Sequence, residues 1–154
     1  MFKKILCAVD FSRGSQQALH TATLLAKQLD AELVVMHAWH VPPLGLGDFP
    51  FPPAASRQIA DDARRALDAA VTEAEAAGVK RVTSEVLHGA PGPTIVAAAE
   101  GDNAIDVLVV GTHGHGRLAR VFLGSTADYV VHHAPCPVLV VRDPRVGREV
   151  ATAS

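Results

Sequence analysis

Five short runs of apolar, largely β-branched residues punctuate the chain at 5–9, 32–38, 81–87, 106–110 and 137–142, and a longer, mostly helical stretch follows each of the first four. Most of these runs are nearly continuous in hydrophobicity rather than alternating. Continuous runs of that length suit parallel strands covered on both faces. Between the runs, Ala18, Leu19, Ala22, Leu25, Ala26 and Leu29 recur at three- and four-residue spacing, as do Ile59, Ala63, Leu67, Ala70, Ala74 and Ala77. Gly78 is a helix stop, and Pro93 suits the first turn of a third, short helix through Ile95, Val96 and Ala99. A fourth helix is expected over 123–133, ahead of Pro135 and Pro137. The resulting order, β-α-β-α-β-α-β-α-β, predicts an α/β fold: a doubly wound, Rossmann-like parallel sheet with right-handed crossovers and helices on both faces. Ligands of such sheets bind beyond the carboxyl ends of the strands, where the winding reverses. Asp10, His37, Gly89 and Gly111 mark those exits.

With 154 residues the chain has room for one domain with a proper core. A hydrophobic share of 49% against 19% charged residues excludes a disordered tail protein. A net charge of -2 without a Lys/Arg cluster argues against nucleic-acid partners, whose binding relies on counterion release from a basic face. The apolar stretch behind Lys3 and Lys4 closes at Asp10, too short for a secretory core of about seven to fifteen residues. No run approaches the roughly twenty residues of a membrane span. A cytoplasmic protein with no membrane contact is expected. Cys7 and Cys136 have neither disulfide nor metal spacing and are expected to be free thiols.

One connection is long. The stretch 39–55, opened by Trp39 and closed by Ala55, holds five of the ten prolines together with Leu44, Leu46, Phe49 and Phe51. Two roles suit it: a proline-stiffened flap packed over the sheet, or a lid or apolar docking surface.

The chemistry concentrates after the fourth run, in Gly111-Thr112-His113-Gly114-His115-Gly116-Arg117 and, further on, Gly124-Ser125-Thr126. Glycines let backbone N–H groups approach phosphate oxygens, and a Gly-Ser pair opening a helix adds free donors, a hydroxyl and the positive end of the helix dipole. Three short motifs fit poorly. A P-loop would need a lysine and a Ser/Thr where Arg117 and Leu118 stand. The dinucleotide fingerprint and the Thr-x-Gly-His signature of nucleotidyltransferases both belong after the first strand, not the fourth. The spacing Gly111-x2-Gly114-x9-Gly124-Ser125 matches the G-x2-G-x9-G-[S/T] pattern of the ATP-binding branch of the universal stress protein family.

The rest of the chain is similar to that family as well. Residues 5–12, ILCAVDFS, resemble its opening strand and acidic exit, and 34–38, VVMHA, its second strand. DVLVVG at 106–111 and CPVLVV at 136–141 resemble its fourth and fifth strands. The likeness covers residues 1–143, which form the expected nucleotide-binding domain, and leaves 144–154 as a tail.

The resemblance implies a sheet in the order 3-2-1-4-5 with ATP across the exits of the first and fourth strands. It places Ala8, Val9 and Asp10 beside the nucleoside, and Ala38 at adenine through its backbone. Gly111, Thr112, His113, Gly114, Gly124, Ser125 and Thr126 would hold ribose and phosphates, with Mg²⁺ as a bridging ion. Arg117 is a candidate for a terminal phosphate. Ala8 stands where many ATP binders of the family carry proline. The family commonly forms homodimers through its fifth strand, here from Pro137 to Arg142, and an open apolar edge makes such pairing physically sensible.

Eight histidines invite a metal reading, but His113, His115, His132 and His133 lack a Cys or carboxylate at a recognisable spacing. His37, on an apolar strand, suits a satisfied core residue better than a ligand. Asp10 has a competing role in capping the next helix, which Ser12 could fill equally well. Catalysis has no clear cast, since nothing pairs a nucleophile with a base. A stress-response ATP-binding module, whose nucleotide sets loop shape and partner choice, is therefore the leading expectation. One alternative is a slow ATPase or adenylyl or phosphoryl transferase using Asp10, His113 and Arg117. The other is a non-enzymatic scaffold working through the 39–55 connection.

Overall fold

The computed structural model describes residues 2–41, 52–101, 104–112 and 123–143. Along the chain it forms β1 (Lys4–Ala8), α1 (Arg13–Leu29), β2 (Glu32–Trp39), α2 (Pro53–Ala76), β3 (Val82–His88), α3 (Pro91–Glu100), β4 (Val107–Gly111), α4 (Ser125–His133) and β5 (Val138–Val141). All pairings are parallel and the sheet order is β3-β2-β1-β4-β5, as expected. Consecutive strands step from β1 out to β3, and β4 then returns on the other side of β1. The winding therefore reverses between β1 and β4.

Alternation along the strands divides the core into two layers. Ile5, Cys7 and Val9 join Leu33, Val35, Val107 and Val109 beneath α1 and α2. Leu6, Val34, Met36, Leu108 and Val110 meet Ile95, Val96 and Ala99 of α3 and Ala127 and Val130 of α4 on the opposite face. On α1 the buried stripe is made of small residues, Gly14, Ser15, Ala18, Ala22, Thr23 and Ala26, so the helix lies close to the sheet. Leu29, placed by periodicity on that stripe, is exposed, because the chain turns away at Asp30 in the left-handed region (φ 52). On α2, Ala63, Leu67, Ala70 and Ala74 are buried as expected, whereas Ile59 and Ala77 near its ends are exposed.

Helix ends follow local chemistry. Ser12 caps α1, its Oγ accepting from the Ser15 N–H at 3.3 Å. α2 begins at Pro53, ahead of its apolar stripe, because proline fits a first turn that needs no N–H. The long connection is shorter at both ends than the stretch 39–55, running over 40–52, and its residues 42–51 lie outside the described residues. Gly78 follows the end of α2 with φ +108, a conformation that a side chain disfavours. α3 starts at Pro91, with Pro93 also in its first turn.

Both cysteines are free thiols. Cys7 is fully buried at the centre of β1, where desolvation pushes its thiol up to about 12. Cys136 is half-buried, and partial burial also raises its thiol. No helix among the described residues is long and apolar enough to cross a membrane.

The amino-terminal edge of the sheet is clamped by Asp106, whose Oδ2 accepts from the backbone N–H of Lys3 at 2.7 Å and of Lys4 at 2.9 Å. These two bonds hold the carboxyl below its ordinary value. A depressed folded-state value contributes stability above the unfolded pKa, about 3.9 for Asp, and loses it as pH falls through the folded one. Thermal unfolding of the wild type and Asp106→Ala should therefore differ most at neutral pH. The gap should narrow as pH falls below the ordinary carboxylate pKa of about 3.9; a constant gap would mean that the carboxylate charge is irrelevant. Deep in the α2 layer, Leu67→Ala should cost about 2–5 kcal/mol in denaturant unfolding, the usual range for a fully buried leucine.

Candidate functional site at the strand exits

The carboxyl ends of β1, β2 and β4 and the start of α4 converge on one edge because a parallel sheet aims all its strands the same way. Sequence-expected residues from four elements meet there. Ala8 closes β1 half-buried on the α3/α4 face, and Val9 is buried on the other. The Val9 N–H donates to the Met36 carbonyl at 2.9 Å, extending the β1–β2 pairing one residue past the strand. Ala38 stands in β2, the strand beside β1, paired in register with Leu87 of β3.

Asp10 turns its carboxylate onto the backbone that follows, Oδ1 accepting from the Ser12 N–H at 2.9 Å. The two acceptors thus divide the helix entry: Asp10 takes the Ser12 N–H, and the Ser12 hydroxyl caps the first turn of α1.

Gly111 and Thr112 form the exit of β4. The Thr112 N–H donates to the Val141 carbonyl at 3.0 Å, and the Thr112 carbonyl accepts from the Gly124 N–H at 2.6 Å. That second bond pins the start of α4 against the end of β4, bringing the two halves of the glycine motif together. Gly124 is the helix N-cap, with φ -59 and ψ 160, and among the described residues no side chain caps the first turn. Ser125 is exposed and Thr126 half-buried just behind it. The missing side chain of Gly111 has a steric reason: a Cβ there would come within 2.7 Å of the Gly14 carbonyl carbon and oxygen. The first turn of α1 rests directly on this backbone. His113, Gly114, His115 and Arg117 lie outside the described residues.

Two further residues stand at this edge: Phe11, which carried no recognised signal, and His37, expected as a satisfied residue of an apolar strand and found hydrogen-bonded. Phe11 adopts φ 63, left-handed backbone that a residue with a bulky side chain rarely enters. His37 is half-buried, with Nδ1 at 2.8 Å from the Val9 carbonyl, and its ring packs on Phe11 with centroids 4.6 Å apart. A histidine that ends an apolar run beside another strand's exit was the available clue; the Phe11 conformation had none. At the far end of α4, His132 and His133 each set Nδ1 at 2.8 Å from a carbonyl one turn back, those of Asp128 and Tyr129. Among the described residues no three His, Cys, Asp or Glu are grouped to hold a metal.

A doubly wound parallel sheet whose winding reverses between β1 and β4 defines a Rossmann-like α/β protein. The universal stress protein family model matches residues 1–142, and the chain belongs to that family. It is 39% identical to a Thermus aquaticus universal stress protein over 142 residues, covering 92% of this chain and all of that one. Among solved structures, the universal stress protein UspA of Lactobacillus plantarum superposes with a TM-score of 0.76 at 28% identity, over 92% of this chain and 98% of its own. A universal stress protein solved in complex with cAMP matches with a TM-score of 0.64 at 27% identity, over 90% and 95% of the two chains. One from Archaeoglobus fulgidus, solved with dAMP, shares the fold at 21% identity and a TM-score of 0.65, over 92% and 98%.

Because Gly111 leaves no room for a methyl group against α1, Gly111→Ala should lower stability by about 1–3 kcal/mol, the usual cost of overpacking. Chemical denaturation measures it, and an unchanged midpoint would show that α1 yields without cost.

Proposed function

We propose that this chain is an ATP-binding regulatory module of the stress response, in which the bound nucleotide sets the shape of the loops at the strand exits and so the choice of partner. The observation that carries this reading is the Thr112–Gly124 hydrogen bond, which holds an uncapped helix N-terminus at the point where the winding reverses. Backbone N–H groups at such an end favour phosphate. The relative solved with cAMP supports an adenine nucleotide as the ligand class.

In this reading Ala8, Val9 and Asp10 flank the nucleoside and the Ala38 backbone meets adenine. Gly111, Thr112, His113, Gly114, Gly124, Ser125 and Thr126 would surround ribose and phosphates, Arg117 would reach a terminal phosphate, and Mg²⁺ would accompany the nucleotide and offset phosphate charge. β5 pairs with β4 on one side, and Leu139 is exposed on it. An apolar strand at a sheet edge is a template for a second copy, which supports a homodimer through β5.

Calorimetric titration of ATP with Mg²⁺ into nucleotide-stripped protein should give one site of micromolar affinity. Gly124→Asp is the sharpest variant. The backbone there is open to any residue, and Asp is at least as good an N-cap as Gly, so thermal stability should hold or rise. The added carboxylate would face the phosphates, and affinity should fall at least about tenfold, or 1.4 kcal/mol. Unchanged affinity would remove the phosphates from this helix end. Sedimentation of Leu139→Lys tests the dimer: a shift from dimer to monomer supports the β5 edge, and an unaltered dimer places the interface elsewhere.

A further inference from the structure

His37 lies on the α1/α2 face of β2, the same face as Leu33 and Val35, while Ala38 faces the other layer. It therefore approaches the β1 exit from behind the proposed nucleotide position. A carbonyl oxygen can only accept, so the 2.8 Å contact with Val9 requires the proton on His37 Nδ1. The same ring supports Phe11, tilted 37° to it. Phe11 holds φ 63, a conformation that persists only where neighbouring structure over-determines it. Between these two anchored residues stands Asp10, whose carboxylate closes the turn onto Ser12.

We infer that His37 is a positioning residue for the β1 exit: by donating to the Val9 carbonyl and backing the Phe11 ring, it holds Asp10 in its place without touching the ligand. The value of this for nucleotide affinity rests on the ATP reading above, but the ordering of the exit does not. Two anchors on one imidazole bracket Asp10 on either side, so that its backbone has little freedom to swing the carboxylate away. Pre-organisation of this kind raises affinity by lowering the ordering cost of binding.

The two contacts can be separated by substitution. His37→Phe keeps a ring against Phe11 and loses the donor. His37→Asn places an amide nitrogen two bonds from Cβ, as Nδ1 is, and keeps the donor without the ring. Amide hydrogen exchange at Ser12 in nucleotide-free protein reads the exit directly, since that N–H is the one closed by Asp10. Exchange should quicken at least about tenfold in His37→Phe and return to within about threefold of wild type in His37→Asn, with both melting close to wild type. ATP affinity, by titration, should follow the same order. Ser12 exchange unaltered in His37→Phe overturns the inference whatever the affinity does, as does a loss that merely tracks melting temperature in both variants. If the wild type binds no ATP, the nucleotide reading fails, and the exchange comparison still decides the role of His37. Long-range ¹⁵N spectra of the imidazole give an independent check: a neutral ring protonated on Nε2 instead of Nδ1 would contradict it.

Discussion

β1 is hydrogen-bonded on both sides, to β2 and to β4, and its two faces are sealed by different helix layers. A strand in that position has no open edge, so its residues must be apolar on both faces until the chain emerges. Ile5, Leu6 and Cys7 meet that demand with at most 1% of their surface exposed. The first side chain free of it is Asp10, and polarity therefore returns to the chain only at the carboxyl edge. Parallel pairing sends β2 and β4 out through the same edge, and the reversal of winding falls between β1 and β4, the position at which sheets of this kind take their ligands.

The two helices that begin at this gap are finished differently. α1 enters through Ser12, whose hydroxyl occupies an N–H of the first turn, and its small residues press the helix onto the β4 backbone at Gly111. α4 enters through a glycine, anchored by its own N–H to Thr112, and this N-cap makes no side-chain hydrogen bond to the first turn. One helix end is closed and braces the edge. The other is anchored through the Thr112–Gly124 backbone bond, and its N-cap contributes no side-chain hydrogen bond.

Much of this was legible in the sequence. Uninterrupted apolar runs identified buried parallel strands, and the alanine and leucine spacing identified α1 and α2, because burial on both faces and on one stripe leave different periodicities. The sheet order came from family resemblance and not from periodicity, which says nothing about which strand lies next to which. Helix ends were less legible: Leu29 fits the apolar stripe of α1 by spacing, yet the turn at Asp30 carries it into solvent. Within the site, Gly111 was read as a phosphate contact, and its tight fit against Gly14 emerged only when two segments distant in sequence were brought together. The pairing of His37 with Val9 is equally non-local, its partners standing 28 positions apart. Contacts of that kind leave no mark in a local pattern.

The thiol at the middle of β1 gives the molecule a silent clock. At about 12, the Cys7 thiol holds almost no thiolate at neutral pH, and no reagent reaches it while both helix layers are in place. The Cys7 side chain lies beneath α1 and α2, so modification must wait for that layer to lift from the sheet. The rate at which a thiol reagent captures Cys7 therefore measures the opening of the α1/α2 layer, while the half-buried Cys136 registers shallower excursions near the sheet edge.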